Sequence, residues 1–485
     1  MGRPLPRFLA LAFFLMVSVT AHAQTPKLVH SRSLATARET GNNFRIQYGG
    51  SMGTGTLASN LLTLRITYPH GSSVSSISDN KSSTYILGVS ADSGSGGWVT
   101  SLYYVTGASA GITQITVSFS ASVSDWHGAV QEYSGVAISS PGDGTCSSST
   151  TTPANVQCSA AIQTGSNGDL IVASTMAVGG LGSRLCGTTS SSMAPGTGFM
   201  LDAADTYCSD ADEEFVQTSA GAITPSFTIS GNTSTYNIVA MAFKAASGAG
   251  TTPTGMYILH QQHLQISEGS NTQVSYFVSS GNLVVASLDV GSTNSGGNIV
   301  TIDTCTPSNT WTKRTPSGTD MPQILFIPSA AASTNLRCTV HSGQPTDTGI
   351  IVIYDVVGAA SSPEDVDSAG VFASGTSLTN LPDITPTTQL GIAFAAENTG
   401  TGPSTAVGSG FLWDNTPYTG ETDQGQLNNG DGWQHFFYTK TSQIAFSWTQ
   451  ADSASTMQAF AIAFKAGPAT PRPAPPTNLK VTSVQ

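Results

Sequence analysis

Short runs in which apolar and polar residues alternate recur along the chain, at residues 61–68, 101–105, 112–119, 129–133, 170–177, 226–229 and 236–243. A second series follows at 282–289, 323–327, 335–340, 349–355, 389–395, 443–448 and 457–464. Side chains alternate faces along a strand, so a period of two predicts strands with one face turned to a core. Clusters of Gly, Ser, Asn and Asp separate the runs, and no helical period intervenes. Strands at roughly 8–12-residue spacing predict an all-β protein of antiparallel sheets packed face to face.

The chain also repeats itself. Ala242-Phe243-Lys244-Ala245 returns as Ala463-Phe464-Lys465-Ala466, 221 residues on. Glu132-Tyr133-Ser134-Gly135 with Ser139-Ser140-Pro141 is answered by Tyr354-Asp355-Val356-Val357-Gly358 with Ser361-Ser362-Pro363, and Gly198-Phe199-Met200-Leu201-Asp202 by Gly410-Phe411-Leu412-Trp413-Asp414. Matches in one order at nearly one offset imply two copies of a fold. The expectation is two tandem antiparallel β-sandwich domains, jelly-roll-like, of eight to ten strands each.

Arg3 and Arg7, the apolar run 8–19 and Ala21-His22-Ala23 read as a secretory leader over residues 1–23. The first copy is then expected at 24–247, a Gly/Thr-rich linker at 248–255 and the second copy at 256–467. A Pro-rich spacer follows at 468–476 and a short strand-like stub at 477–485. The two copies are expected to fold independently.

Composition narrows the partners. Without Arg3 and Arg7, 15 Lys and Arg face 29 Asp and Glu, a net charge near −14. That balance argues against nucleic acid and anionic lipid, which both need clustered cations. No apolar stretch reaches the roughly 20 residues of a membrane-spanning helix. Six cysteines in an exported chain predict three disulfides, most simply between neighbours: Cys146 with Cys158, Cys186 with Cys208, and Cys305 with Cys338.

Val74-Ser75-Ser76-Ile77-Ser78-Asp79-Asn80 leading to Thr84-Tyr85, then Leu102-Tyr103-Tyr104, Ile115-Thr116-Val117-Ser118-Phe119, Glu132-Tyr133-Ser134-Gly135-Val136 and the closing Phe243-Lys244 resemble a secreted bacterial β-sandwich module that recurs in modular surface proteins. The second copy departs from the pattern, with Thr304-Cys305 in place of Asp79-Asn80. The stub Pro475-Pro476-Thr477-Asn478-Leu479-Lys480-Val481 resembles the opening strand of a fibronectin type III domain. The resemblance implies an extracellular scaffold or binding role and transfers no catalytic residue.

Candidate chemistry is sparse. Asp202, Asp205, Asp210, Asp212, Glu213 and Glu214 form the densest acidic stretch. It reads as a solvated acidic loop, with calcium as the alternative because loop carboxylates can supply the six to eight oxygens that ion takes, although EF-hand spacing is absent. Trp413, Tyr418 and Trp433 lie in a stretch rich in Asn, Gly and Asp, where an aromatic ring stacks on a sugar while amides bind its hydroxyls. Core packing is the competing reading of those rings. Gly49-Gly50-Ser51-Met52-Gly53 matches the nucleophile-elbow pattern, but a loop and strand follow it rather than a helix, so it reads as a turn. His260 and His263 are three apart on an expected strand and therefore diverge. Paired acids could also serve glycoside hydrolysis, but most of the acids fall in expected loops rather than along the strands of a concave sheet. The sequence thus points to a secreted or cell-surface, non-enzymatic protein for adhesion, matrix building or binding of extracellular polysaccharide or other surface proteins. The competing functions are part of a carbohydrate-degrading enzyme and a pure spacer.

Overall fold

The computed structural model describes residues 25–34, 41–150, 156–178, 192–205, 210–230, 235–246, 250–266, 271–291, 301–314, 322–341, 348–368, 371–374, 377–378, 382–399, 404–407, 412–413, 432–450 and 456–468. It is all-β, with no helix among those residues. The leader and the fibronectin-like stub lie outside them.

Each copy is two sandwiches, not one, so the expectation of eight to ten strands per copy is corrected. The first sandwich contains β1 (Lys27–Leu34), β2 (Gly41–Gln47), β3 (Asn60–Pro69), β4 (Val74–Asp79), β5 (Ile86–Asp92), β6 (Trp98–Ala108), β7 (Gln114–Val123) and β8 (His127–Ser134). The second contains β9 (Gly142–Thr150), β10 (Val156–Gln157), β11 (Ile162–Gln163), β12 (Asp169–Val178), β13 (Ser192–Ala194), β14 (Met200–Asp205), β15 (Asp210–Gln217), β16 (Ala222–Ile223), β17 (Ser226–Ser230) and β18 (Thr235–Phe243).

The third comprises β19 (Tyr257–Ile266), β20 (Asn271–Val278), β21 (Leu283–Gly291), β22 (Thr301–Thr306), β23 (Thr312–Arg314), β24 (Gln323–Ile327), β25 (Ser333–His341) and β26 (Thr348–Val357). The fourth comprises β27 (Ala359–Asp367), β28 (Val371–Ser374), β29 (Ser377–Leu378), β30 (Asp383–Ile384), β31 (Gly391–Thr399), β32 (Ser404–Val407), β33 (Leu412–Trp413), β34 (Gly432–Tyr438), β35 (Ile444–Ala445), β36 (Trp448–Gln450) and β37 (Thr456–Ala466).

One strand order serves all four. The large sheets run β5-β6-β3-β8-β1, β14-β15-β12-β18-β9, β23-β24-β21-β26-β19 and β33-β34-β31-β37-β27, each facing a small sheet centred on β7, β17, β25 or β36. Within a copy the two large sheets lie back to back. β3 therefore sends Leu62, Leu64 and Ile66 into its own sandwich core and Leu61 into a seam shared with Leu170, Val239 and Phe243. In the second copy, Ile258, Val285, Phe394, Trp433 and Phe464 fill the matching seam. The alternation in these strands thus separates core from seam rather than core from solvent, and all eight residues of β8 and all nine of β18 are buried.

Strand pairing continues across the copies. β1 and β19 pair in parallel, Ser31 opposite His260 and Ser33 opposite Gln262, which makes one ten-stranded sheet. β14 pairs with β20 through Ala204–Ser275 and Asp205–Val274, which makes an eight-stranded one. Parallel pairing at the centre turns the second copy over, so the large sheet of the second sandwich continues into the small sheet of the third. The segment expected as a free linker is also tied down: the Thr251 amide donates to Asn60 Oδ1 (2.7 Å) and Asn60 Nδ2 donates to Thr251 O (3.0 Å).

Two features singled out in the sequence are architectural. Gly135 and Gly358, with φ of 77° and 80°, turn the chain out of β8 and β26, a backbone region that favours glycine. Asp79 Oδ1 accepts the Lys81 and Ser83 amides (2.7 and 3.1 Å) while Tyr85 donates to its Oδ2 (3.1 Å), so the Asp79-Asn80 signature holds a turn.

Candidate functional site

The largest polar constellation lies in the seam of the first copy. Arg65 on β3 donates from Nε and Nη2 to the two oxygens of Asp212 on β15 (2.8 and 3.0 Å), and from Nη1 to Asp210 Oδ2 (2.9 Å). Ser174 on β12 donates to Asp212 Oδ1 (2.7 Å), His127 on β8 contacts Asp210, and Tyr133 donates to Asp202 Oδ2 on β14 (2.8 Å). Period two places them together: Thr63, Arg65 and Thr67 share the seam-facing side of β3, and Asp210, Asp212 and Glu214 that of β15.

The acids do not behave alike. Burial alone would raise the Asp210 carboxyl, yet Arg65 and His127 overcome it and hold that group below the usual range. Burial pushes Glu214 up to about 8 and Asp202 well above its usual value, Asp202 further because Glu214 lies beside it. The seam therefore holds ionised aspartate against Arg65 and protonated acid beside Tyr133. Arg65, His127, Asp202, Asp210, Asp212 and Glu214 are each 3% exposed or less.

A second polar motif occurs in both copies. Glu132 on β8 accepts from the Leu57 amide (2.7 Å), Asn60 Nδ2 (2.6 Å) and Tyr48 (3.0 Å), and burial still raises its carboxyl to about 7. At the matching place on β26, Asp355 accepts from Asn282 Nδ2 (2.8 Å) and meets His260 Nδ1 (2.9 Å). His30 sits opposite Glu132 across a β-bulge, as His260 sits opposite Asp355, and it bonds Ile258 O across the junction of the copies (3.0 Å). Burial lowers the His30 imidazole to about 3.

The sequence-derived candidates separate under this geometry. Asp202, Asp210, Asp212 and Glu213 are not in a solvated loop but on β14 and β15, buried. Glu213 points away from the others into its own sandwich, where it accepts the Gly196 amide (2.7 Å). Asp205 ends β14, and its side chain is outside the described set. Among the described residues no group of three or more His, Cys, Asp or Glu is arranged to hold a metal ion. Trp433 is 1% exposed in the second seam, so its ring presents no face to a sugar. Trp413 ends β33 with its side chain outside the described set, and Tyr418 lies outside it altogether. Cys146–Cys158 and Cys305–Cys338 are disulfides, and Cys186 and Cys208 fall outside the described residues. Ser51 lies in a turn with no following helix, its side chain buried. His260 and His263 face opposite sides of β19, toward Asp355 on one side and with Gln261 on the other.

The sequence reading missed Arg65, His127 and Tyr133. Arg65 carried a signal: a cation in the middle of an otherwise apolar and hydroxyl-bearing strand needs an anion across the sheet. No family of known proteins matches the chain, and no curated protein is similar to it.

Proposed function

We propose that the protein is a non-catalytic extracellular scaffold, working at a cell surface or in a matrix in adhesion or in attachment to polysaccharide. The observation that carries this reading is the sealing of its densest ionisable cluster. A catalytic acid pair needs a cleft that admits substrate, and here Arg65, His127, Asp202, Asp210, Asp212 and Glu214 are closed between two sheets. Used in that way, charge fixes how one sandwich sits on another. Sheets that run through both copies favour the same reading, because they make one stiff body from four small ones.

The spacer function gains from a specific observation. Trp433, one of three expected sugar-stacking rings, is spent on packing. Retention of the mature chain, residues 24–485, on immobilised and soluble polysaccharides, with reducing ends assayed in parallel, tests both. Retention without release of reducing ends is the expected result. Release of reducing ends overturns the non-catalytic reading, and absence of retention leaves the spacer.

A further inference from the structure

The signature shared by the copies, Ser-Ser-Pro at the start of the second and fourth sandwiches and Ala-Phe-Lys-Ala at their ends, brings chemistry together at one place. In the second sandwich Asp143, on β9, lies beside Lys244, which directly follows β18. Lys244 Nζ is 3.6 Å from Asp143 Oδ1. The other oxygen, Oδ2, accepts two successive backbone amides, Gly165 (2.6 Å) and Ser166 (3.0 Å). A Cβ at Gly165 would make ordinary van der Waals contact with both carboxylate oxygens, at 3.6 Å. Paired amides on one carboxyl oxygen are the arrangement that stabilises a tetrahedral oxyanion.

A third group completes the set. Asp169 opens β12, is fully buried, and lies against the Asp143 carboxyl group. Burial, and then the adjacent Asp143, push its carboxyl up to about 7, so it takes up and releases a proton at neutral pH. The same surroundings hold Asp143 low: burial opposes this, but Asp169, the two amides and Lys244 prevail.

We propose that Lys244 and Asp143 condense to an intramolecular isopeptide bond, tying the first strand of the second sandwich to the end of its last, with Asp169 as the proton carrier. The Lys244 ammonium gives one proton to the Asp143 carboxyl group through Asp169, and the freed amine attacks Cγ. The negative charge collects on Oδ2 against the Gly165 and Ser166 amides. A C–N bond forms, the Cγ–Oδ1 bond breaks, and Oδ1 leaves as water with the proton the nitrogen sheds through Asp169. One ammonium and one carboxylate become one amide and one water, with no oxidant or other reactant. The fold supplies the proximity that makes such a step unimolecular.

The fourth sandwich contains an internal control. Asp365 occupies the place of Asp143 and is cradled alike, accepting the Thr387 and Thr388 amides on Oδ2 (2.8 and 3.3 Å), and Lys465 stands where Lys244 does. The acid is missing: Gly391 replaces Asp169, and a Cβ there would collide with the Tyr438 hydroxyl, which points to Asp365 Oδ2 (3.5 Å). A phenol is far too weak an acid at neutral pH to carry the proton. One bond is therefore expected, not two.

Intact-mass measurement on the reduced, full mature chain reads this directly, because the amide removes one water, about 18 Da. The expected result is that single loss, with a tryptic peptide containing Lys244 joined to the one containing Asp143. Lys244→Arg and Asp169→Asn should each restore the full mass, while Lys465→Arg should leave the loss in place. Circular dichroism of each variant separates lost chemistry from lost fold, and Lys244→Arg alters a half-exposed side chain that the sandwich core does not need. A wild-type chain at its full sequence mass overturns the proposal, as does a water loss that survives Lys244→Arg.

Discussion

The two copies build the same seam from opposite materials. Register places Arg65 of β3 where Ser287 stands on β21, and Asp212 of β15 where Trp433 stands on β34. In the first copy the back-to-back sheets are locked by a guanidinium bonded to two carboxylates; in the second Trp433 lies among Phe394, Tyr354 and Phe464. Tyr354 and Phe394 rings lie 4.5 Å apart and Phe326 and Phe464 5.0 Å. A buried ion pair gains little net stability after desolvation, but removing one partner is severe. An aromatic seam gains from area and depends on the volume it fills. One fold thus tolerates either solution, and the two should fail differently.

The largest effect is expected at Arg65. Arg65→Ala strands Asp210 and Asp212 between sheets without their cation and should cost about 3–5 kcal/mol. Denaturant melts of the mature chain measure it, and a loss under about 1 kcal/mol would mean water reaches the seam and the charged solution is not sealed. Trp433→Ala should cost a similar amount, about 3–5 kcal/mol, through the cavity left. The distinction lies in shape rather than size. A smaller aromatic such as Phe should recover much of the loss at Trp433, whereas Lys at Arg65 should not, because it cannot make the forked contact with Asp212.

A smaller, pH-dependent difference comes from buried acids that, among the described residues, belong to the first copy. Glu214 has its folded carboxyl raised to about 8 and Glu132 to about 7 by burial. Both protonate far lower when unfolded, so between those values the folded state retains protons that the unfolded state has lost. Their contribution to stability should therefore be complete below about pH 4.5 and fall from there, levelling off above about 7 for Glu132 and about 8 for Glu214, at about 1.4 kcal/mol per unit for each retained proton. His30, lowered to about 3, acts in the other direction, costing stability as pH drops below 6.5, which leaves the alkaline limb to the acids. Thermal melts from pH 6.5 to 8 should show the decline, and Glu214→Gln should lessen it. An unchanged slope in that variant would remove Glu214 from the explanation.

How much of this was legible in the sequence follows from the range of each interaction. Strand alternation is local, so the all-β fold was readable, and the Phe243/Phe464 endings exposed the duplication. The second doubling was hidden because the first sandwich closes on Tyr133-Ser134-Gly135 and the second on Phe243-Lys244, different chemistry on one strand position. Asp210, Asp212 and Glu214 read as a solvated loop because four acids crowd into five positions, and the cation that pairs with two of them is near residue 65, about 150 positions away. Trp433 read as a loop residue from the Asn/Gly/Asp stretch before it, yet it is the second residue of β34. The parallel junction of β1 with β19 had no local sign at all, since a parallel pairing between repeats leaves no turn to read.

The smallest expected effect is the sharpest test of the comparison. Ser287 faces the second seam at the position Arg65 holds in the first, and its hydroxyl is buried with no hydrogen-bond partner. A polar group buried without a partner costs stability, whereas a methyl group of nearly the same size does not. Ser287→Ala should therefore be neutral or stabilising, by up to about 1 kcal/mol, while the same substitution at Arg65 is the most damaging one expected. The opposite signs would establish that the two positions share geometry and differ in chemistry. If Ser287→Ala destabilises by more than about 1 kcal/mol, the hydroxyl has a partner in the seam, and the second copy is less purely apolar than its Trp433 cluster implies.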